Sequence, residues 1–292
     1  MTFNPLDYPL AWMDPLMLSA NSDFVGHIPF VMSLVDMMRP NTIVELGTFS
    51  GNSYCALCQA VSYRQLPTKC FAVDTWKGDP SIGAYDGDTM LDELRRYHDP
   101  NYGAFSTLMR MSFDSALSHF ADASIDLLHI DGCHTYEAAH HDFETWLPKL
   151  SNRGVVILHD TAERREGFGV WKLWAEISGR NPSFSFEHSH GLGMLLVGKQ
   201  PALPLQQFML HATEESERIR QFFDFQGKRI ENRQMAYYML VFAWQAQTTL
   251  NKWCSTHGKP VNSQCGPFPV AQSHPFVFLR NLKLHTEQAF GE

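Results

Sequence analysis

Two stretches, His129-Ile130-Asp131-Gly132-Cys133-His134 and Leu158-His159-Asp160-Thr161, carry the residue types best suited to chemistry in this chain. Each aspartate follows an apolar run that reads as a β-strand, so Asp131 and Asp160 stand at adjacent strand tips and share one rim. Two carboxylates on a rim suit a hard divalent cation such as Mg²⁺, which takes oxygen ligands and keeps positions open for water or substrate. A hydroxyl bound to such an ion becomes more acidic. His134, three residues beyond Asp131, is a candidate general base because imidazole titrates near neutral pH. His159 reads either as a further metal ligand beside Asp131 and Asp160 or as a satisfied core histidine. As a ligand, its imidazole favours a transition metal over Mg²⁺.

A second chemistry-bearing cluster is the turn Glu45-Leu46-Gly47-Thr48-Phe49-Ser50-Gly51. Gly47 and Gly51 let the backbone pass close to a ligand and take angles closed to other residues. The pattern is not a phosphate-binding loop, because no lysine follows, and not a dinucleotide fingerprint, because Phe49 stands at the middle glycine. A phosphate ligand is disfavoured, which leaves a nucleoside held through its hydroxyls. Asp74, closing the run Cys70-Phe71-Ala72-Val73, is placed to accept both ribose hydroxyls, and Glu45 adds an acceptor suited to a cationic ligand. The competing reading is a strand-to-helix junction with no ligand. Cys55 and Cys58 fall inside a helix starting near Asn52, with no second Cys/His pair at zinc spacing, and read as packing residues.

These residues must be positioned by an alternating pattern. Between about residues 22 and 200, short apolar runs at 42–46, 70–73, 125–130 and 154–158 are separated by helix-length segments. That pattern predicts an α/β fold with a doubly wound, Rossmann-like parallel sheet covered on both faces. The late pair 184–188 and 193–197 is close enough for a hairpin, so the sheet is expected to end antiparallel. Residues 77–111, polar and longer than an ordinary connection, read as a lid loop. The predicted organisation is an N-terminal arm over 1–24, a ligand-binding domain over 25–200 and a helical extension over 201–292 with an irregular tail. The extension reads as a homo-oligomer surface, a substrate cap or plain packing.

Four ordered motifs, VELGTFSGNS (44–53), VDTWKGD (73–79), IDLLHIDGCHTYEAAHHDFETWLPKL (125–150) and GVVILHDT (154–161), resemble class I methyltransferases that use S-adenosylmethionine (SAM). They look most like the bacterial small-molecule and sugar O-methyltransferases, among them the macrolide-sugar and cephalosporin-pathway enzymes. The resemblance implies a SAM site formed by Glu45, Gly47, Thr48, Gly51, Ser53, Asp74, Thr75 and Asp131. It also implies Trp76 as a stacking face and Ser112 and Phe113 as adenine contacts. Asp131-x-x-His134 matches the family's ligand-and-base motif, whereas relatives often have Glu-Asp where this chain has His159-Asp160. Tyr136, Arg164 and Arg165 are placed to meet an acceptor, expected to be a hydroxylated small molecule such as a sugar or natural-product precursor. Rival readings are a non-catalytic SAM-binding scaffold and a nicotinamide-linked oxidoreductase.

A formal charge of −8 without a strong basic block argues against nucleic acid or an anionic membrane as partner. The N-terminus lacks the features of a secretory signal, and no run of apolar residues is long enough to span a bilayer, so a cytoplasmic location is expected. Six scattered cysteines are expected to be reduced.

Overall fold

The computed structural model describes residues 2–21, 23–78 and 85–256. Seven strands, β1 (Thr42–Leu46), β2 (Lys69–Asp74), β3 (Ser106–Arg110), β4 (Ile125–Ile130), β5 (Leu150–His159), β6 (Ser183–Phe186) and β7 (Leu192–Leu196), form one sheet of order β3-β2-β1-β4-β5-β7-β6. The first five are mutually parallel, and β7 runs antiparallel to both its neighbours. The hairpin expected from the sequence is present, but its antiparallel member lies inside the sheet. The edge strand β6 runs with the main set, because the turn folds β7 back into the space beside β5.

The helices are α1 (Ile28–Met38), α2 (Asn52–Tyr63), α3 (Gly87–Tyr102), α4 (Phe113–Ala116), α5 (Tyr136–Trp146), α6 (Val170–Ile177), α7 (Leu203–Glu214) and α8 (Ser216–Thr256). Side chains alternate across each strand, so the sheet feeds two separate cores. One joins Ile43, Leu127 and Ile157 to α1, α2, α3, α7, α8 and the N-terminal segment; the other joins Val44, Leu128 and Leu158 to α4, α5 and α6. Glu45, His129 and His159 point to the first face, while their apolar neighbours Val44, Leu46, Leu128, Ile130 and Leu158 point to the second. Cys55, Cys58 and Cys70 are buried on that first face, where burial pushes the Cys55 thiol well above its ordinary value.

Residues 77–111 are not the single long loop read from the sequence. They contain α3 and β3, while 79–84 lie outside the described residues. The helical signal was there: Leu91, Leu94, Tyr97, His98 and Tyr102 recur at three- and four-residue spacing and are all buried, under an Asp86 cap that accepts from the Thr89 amide at 3.1 Å. The overall polarity of the segment hides this stripe, and β3 is short, with Thr107 and Arg110 exposed. The irregular tail predicted at the C-terminus falls on 257–292, outside the described residues.

The N-terminal segment and α8 hold each other. Arg229 and Arg233 both pair with Asp14, and Phe3 and Tyr8 pack on Phe222 and Phe223. Backbones touch where Gly227 meets the segment before α1: a Cβ on Gly227 would lie 2.3 Å from the Gly26 carbonyl oxygen. This contact brings Phe24 over the tips of β4 and β5, its ring 5.0 Å from that of His129 and 5.1 Å from that of His159. Among the described residues, no helix is long and apolar enough to cross a membrane.

Candidate functional site

A cavity of about 610 Å³ opens at the C-terminal ends of β1, β2, β4 and β5, where connections diverge in an open α/β sheet. Of the residues predicted from the sequence, Gly47, Thr48, Ser53, Asp74, Thr75, Ser112, Phe113, Asp131, His134, His159 and Asp160 line it. Glu45, Gly51 and Trp76 do not.

The glycine turn explains both outcomes. Gly47 has φ +86°, and a Cβ there would sit 2.0 Å from the Asp131 carbonyl oxygen, so only glycine lets β1 end this close to β4. Asp74 clamps the turn: Oδ2 accepts from the Thr48 and Phe49 amides at 2.9 Å each, and Oδ1 accepts from the Trp76 amide at 2.7 Å. A carboxylate has about four acceptor positions, so capacity remains toward the cavity. The hydroxyl of Thr48 is buried at the turn without a hydrogen-bond partner among the described residues. Gly51, also left-handed, faces α3 instead, where a Cβ would strike Leu94.

Glu45 is a correction. It is fully buried on the first face and hydrogen-bonds His129 Nδ1 through Oε2 at 2.7 Å, because the β1–β4 register sets these two residues side by side. Trp76 is another: its indole N–H donates to the Phe49 carbonyl at 2.9 Å and its ring is buried in the core. Packing, not stacking on a ligand, accounts for it. Ser112 caps α4 by accepting from the Ser115 amide, which places Phe113 at the cavity wall.

At the opposite end, His134 Nε2 lies 3.0 Å from Asp160 Oδ2, and the imidazole stacks on Phe168 with ring centres 4.6 Å apart. Asp131, His134 and Asp160 each bring a ligand atom within 4.8 Å of the others, as a single divalent ion requires. His159 stands apart from that set. Its Nε2 donates to the Ser189 carbonyl at 2.9 Å, and its Nδ1 faces Asp131 Oδ1 at 3.3 Å and Asp160 Oδ2 at 3.6 Å. A carbonyl and a carboxylate can only accept, so both ring nitrogens carry hydrogen. Burial works against that charge, but Asp131 and Asp160 overcome it and push the imidazole pKa up to about 10. Burial likewise opposes ionisation of Asp131, and chiefly His159 holds it well below the usual carboxylate range. His159 is thus a buried imidazolium, which has no lone pair to give a metal; His134 takes its place in the converging set.

Several lining residues were not legible in the sequence. Asn21, Asp23 and Phe24 come from the N-terminal segment, and His190 from the β6–β7 turn. No motif marks them, since they reach the cavity only through the packing of α8 and β7. Arg165 also lines it, whereas Arg164 lies over the Trp171 ring and Tyr136 donates to Glu176 at 3.0 Å, both directed elsewhere.

Residues 44–161 match the family described as a methyltransferase domain. This span is about two fifths of the chain. It holds the glycine turn, Asp74, Asp131, His134, His159 and Asp160, whereas Asp23, Arg165 and His190 are added from outside the matched span. The chain is also 48% identical over 197 residues, 68% of its length, to the uncharacterized protein y4gI of Sinorhizobium fredii, and spans 21% of that relative's length. Among solved structures it is similar to O-methyltransferase TomG from Streptomyces achromogenes, in complex with SAM and involved in tomaymycin synthesis, at 14% identity. That match covers 63% of this chain and 82% of TomG with a TM-score of 0.45. A methyltransferase from Geobacter sulfurreducens is similar at 17% identity, over 58% of this chain and 76% of that one, with a TM-score of 0.44.

Proposed function

We propose that this chain transfers the methyl group of SAM to a hydroxyl of a small molecule. The observation that carries this reading is the arrangement of one cavity: a glycine turn clamped by Asp74 at one end and the His134–Asp160 pair at the other. The residues at the first end fit a nucleoside without phosphates. Asp74 retains acceptor capacity for ribose hydroxyls, Thr48 offers an unpaired hydroxyl, and no lysine stands at the turn.

Bound SAM supplies an electrophilic methyl on a sulfonium, which leaves as S-adenosylhomocysteine once the acceptor oxygen forms its new bond to carbon. The protein's own residues must hold the two reactants together and accept one proton. The Asp160 carboxylate, 3.0 Å from Nε2 of His134, favours a proton on that nitrogen and so the tautomer with its lone pair on Nδ1, the form of imidazole that acts as a base. Stacking on Phe168 limits rotation of that ring. Fixing the acceptor near the methyl replaces a bimolecular encounter with an intramolecular one, which supplies much of the rate.

As an alternative to that protonated state, with the lone pair on Nε2 instead, Asp131, His134 and Asp160 fit a divalent cation. The 3.0 Å between His134 Nε2 and Asp160 Oδ2 suits neighbouring ligands of one ion with bonds of about 2.1 Å. Such an ion would acidify the acceptor hydroxyl. Calorimetry with S-adenosylhomocysteine tests the cofactor assignment directly. Release of S-adenosylhomocysteine from SAM in the presence of hydroxylated compounds tests transfer, with and without EDTA. Absence of nucleoside binding sinks the proposal; binding without turnover on any hydroxylated compound leaves a scaffold.

A further inference from the structure

A second cavity, of about 290 Å³, lies along the edge strand β6, between the end of α6, α7 and the start of α8. It shares no lining residue with the cleft that holds Asp74 and His134. Arg220 gives it charge: Nε donates to the Ser185 carbonyl at 2.8 Å, and the guanidinium lies over the Phe184 ring, 5.0 Å from its centre. The side chain is thereby fixed against β6, while its two terminal nitrogens have no hydrogen-bond partner among the described residues. Five hydroxyls line the same space, those of Ser178, Ser183, Ser185, Thr213 and Ser216. Ser183 and Thr213 already donate to the Ser178 and Met209 carbonyls. The other three are uncommitted among the described residues. No carboxylate lines the cavity. Glu215, next to Ser216 in the chain, instead accepts from the Phe3 amide at 2.6 Å and pairs with Arg218 at 2.8 Å.

We infer that this cavity binds a phosphoryl group, at a site separate from the methyl donor and its acceptor. A guanidinium held in place with free terminal N–H groups suits paired contacts to two phosphate oxygens. The hydroxyls of Ser178, Ser185 and Ser216 can donate to the remaining oxygens. Ser216 is also the first residue of α8, so the positive end of that helix's dipole adds to the potential. A cation entering the cavity would meet Arg220 and no counter-charge, which fixes the sign of the ligand. Trp174 and Met209 complete the wall with apolar surface for the body of a phosphate ester. Capping of the edge strand accounts for the bond from Nε, but not for three uncommitted hydroxyls around an acid-free cavity.

Calorimetric titration of the full chain with sodium phosphate, and separately with phenyl phosphate, at constant ionic strength tests this. Saturable binding of at least one is expected, with a Kd of about 1 mM or tighter. Arg220→Gln should weaken it at least about tenfold, because the charge-assisted contacts are lost. Ser185→Ala combined with Ser216→Ala leaves the bond from Arg220 to the Ser185 backbone carbonyl in place and should weaken binding about threefold or more. Thermal melting reports that each variant folds, and the serine variant keeps the test decisive if the arginine variant does not. Arg165→Gln, in the other cleft, and saturating S-adenosylhomocysteine should both leave the affinity unchanged. Phenyl phosphate binding at least about threefold tighter than phosphate would assign the site to a phosphate ester whose body lies on Trp174 and Met209, and equal affinity would assign it to free phosphate. No saturable binding of either probe, an affinity unaltered in the folded variants, or its loss in Arg165→Gln would each overturn the inference. None of these readouts depends on methyl transfer, so failure here leaves the proposed function untouched.

Discussion

Nε2 of His134 lies 3.0 Å from Oδ2 of Asp160, joining the loop after β4 to the tip of β5. This contact makes the imidazole part of a built pair, and it directs the first prediction. Replacing His134 with alanine should lower turnover by about 10²-fold or more, as for loss of a general base, while S-adenosylhomocysteine affinity stays within about twofold. Single-turnover rates and calorimetry on the same preparation check this. An unchanged rate would move the proton to another group.

Asp74 should matter twice, to the fold and to the ligand. Asp74→Ala leaves the Thr48, Phe49 and Trp76 amides without their acceptor, and each such group kept from water costs about 1–3 kcal/mol. A stability loss of about 2 kcal/mol or more is expected in urea titration, with S-adenosylhomocysteine affinity falling at least about tenfold.

Gly47→Ala combines a left-handed backbone with a Cβ set 2.0 Å from the Asp131 carbonyl oxygen. Backbone cannot yield as a flexible side chain does, so the substitution should cost at least about 2 kcal/mol. It should also displace Asp131, whose amide donates to the Leu46 carbonyl at 2.8 Å. The urea midpoint reads the first effect and ligand calorimetry the second.

Stability should fall with rising pH in a way traceable to Asp142. This buried residue of α5 is pushed up to about 7, by burial first and then by Asp114, against the pull of His141. An unfolded aspartic acid ionises near pH 3.9, so the folded form binds its proton more tightly. The stabilising contribution is therefore complete below about pH 4 and is lost as pH rises through about 7. Asp142→Asn should flatten this part of the profile, seen as a smaller difference between urea midpoints at pH 5 and pH 8.

His159 and a divalent cation would compete for the charge of Asp131 and Asp160. Removing the imidazolium with His159→Gln should strengthen Mn²⁺ binding by about tenfold or more. Titration followed by electron paramagnetic resonance measures it. Equal affinity in both proteins would mean that the ion, if bound, sits elsewhere.

The sequence alone was enough for the apolar runs at 42–46 and 125–130, the doubly wound class and the two aspartates at strand tips, because hydrophobic periodicity and strand ends are local properties. The glycine turn and Asp74 were legible for the same reason. Only the tertiary structure decided that Glu45 meets His129 rather than a ligand, since strands 84 residues apart must first pair in one register. It likewise decided that His159 is a cation between two carboxylates while His134, a loop residue, completes the converging set. The contributions of Asp23, Phe24 and His190 follow from the contact of Gly227 with Gly26 and from β7 folding back beside β5. Long-range contacts of this kind depend on how whole elements pack, and neither spacing nor composition along the chain records them.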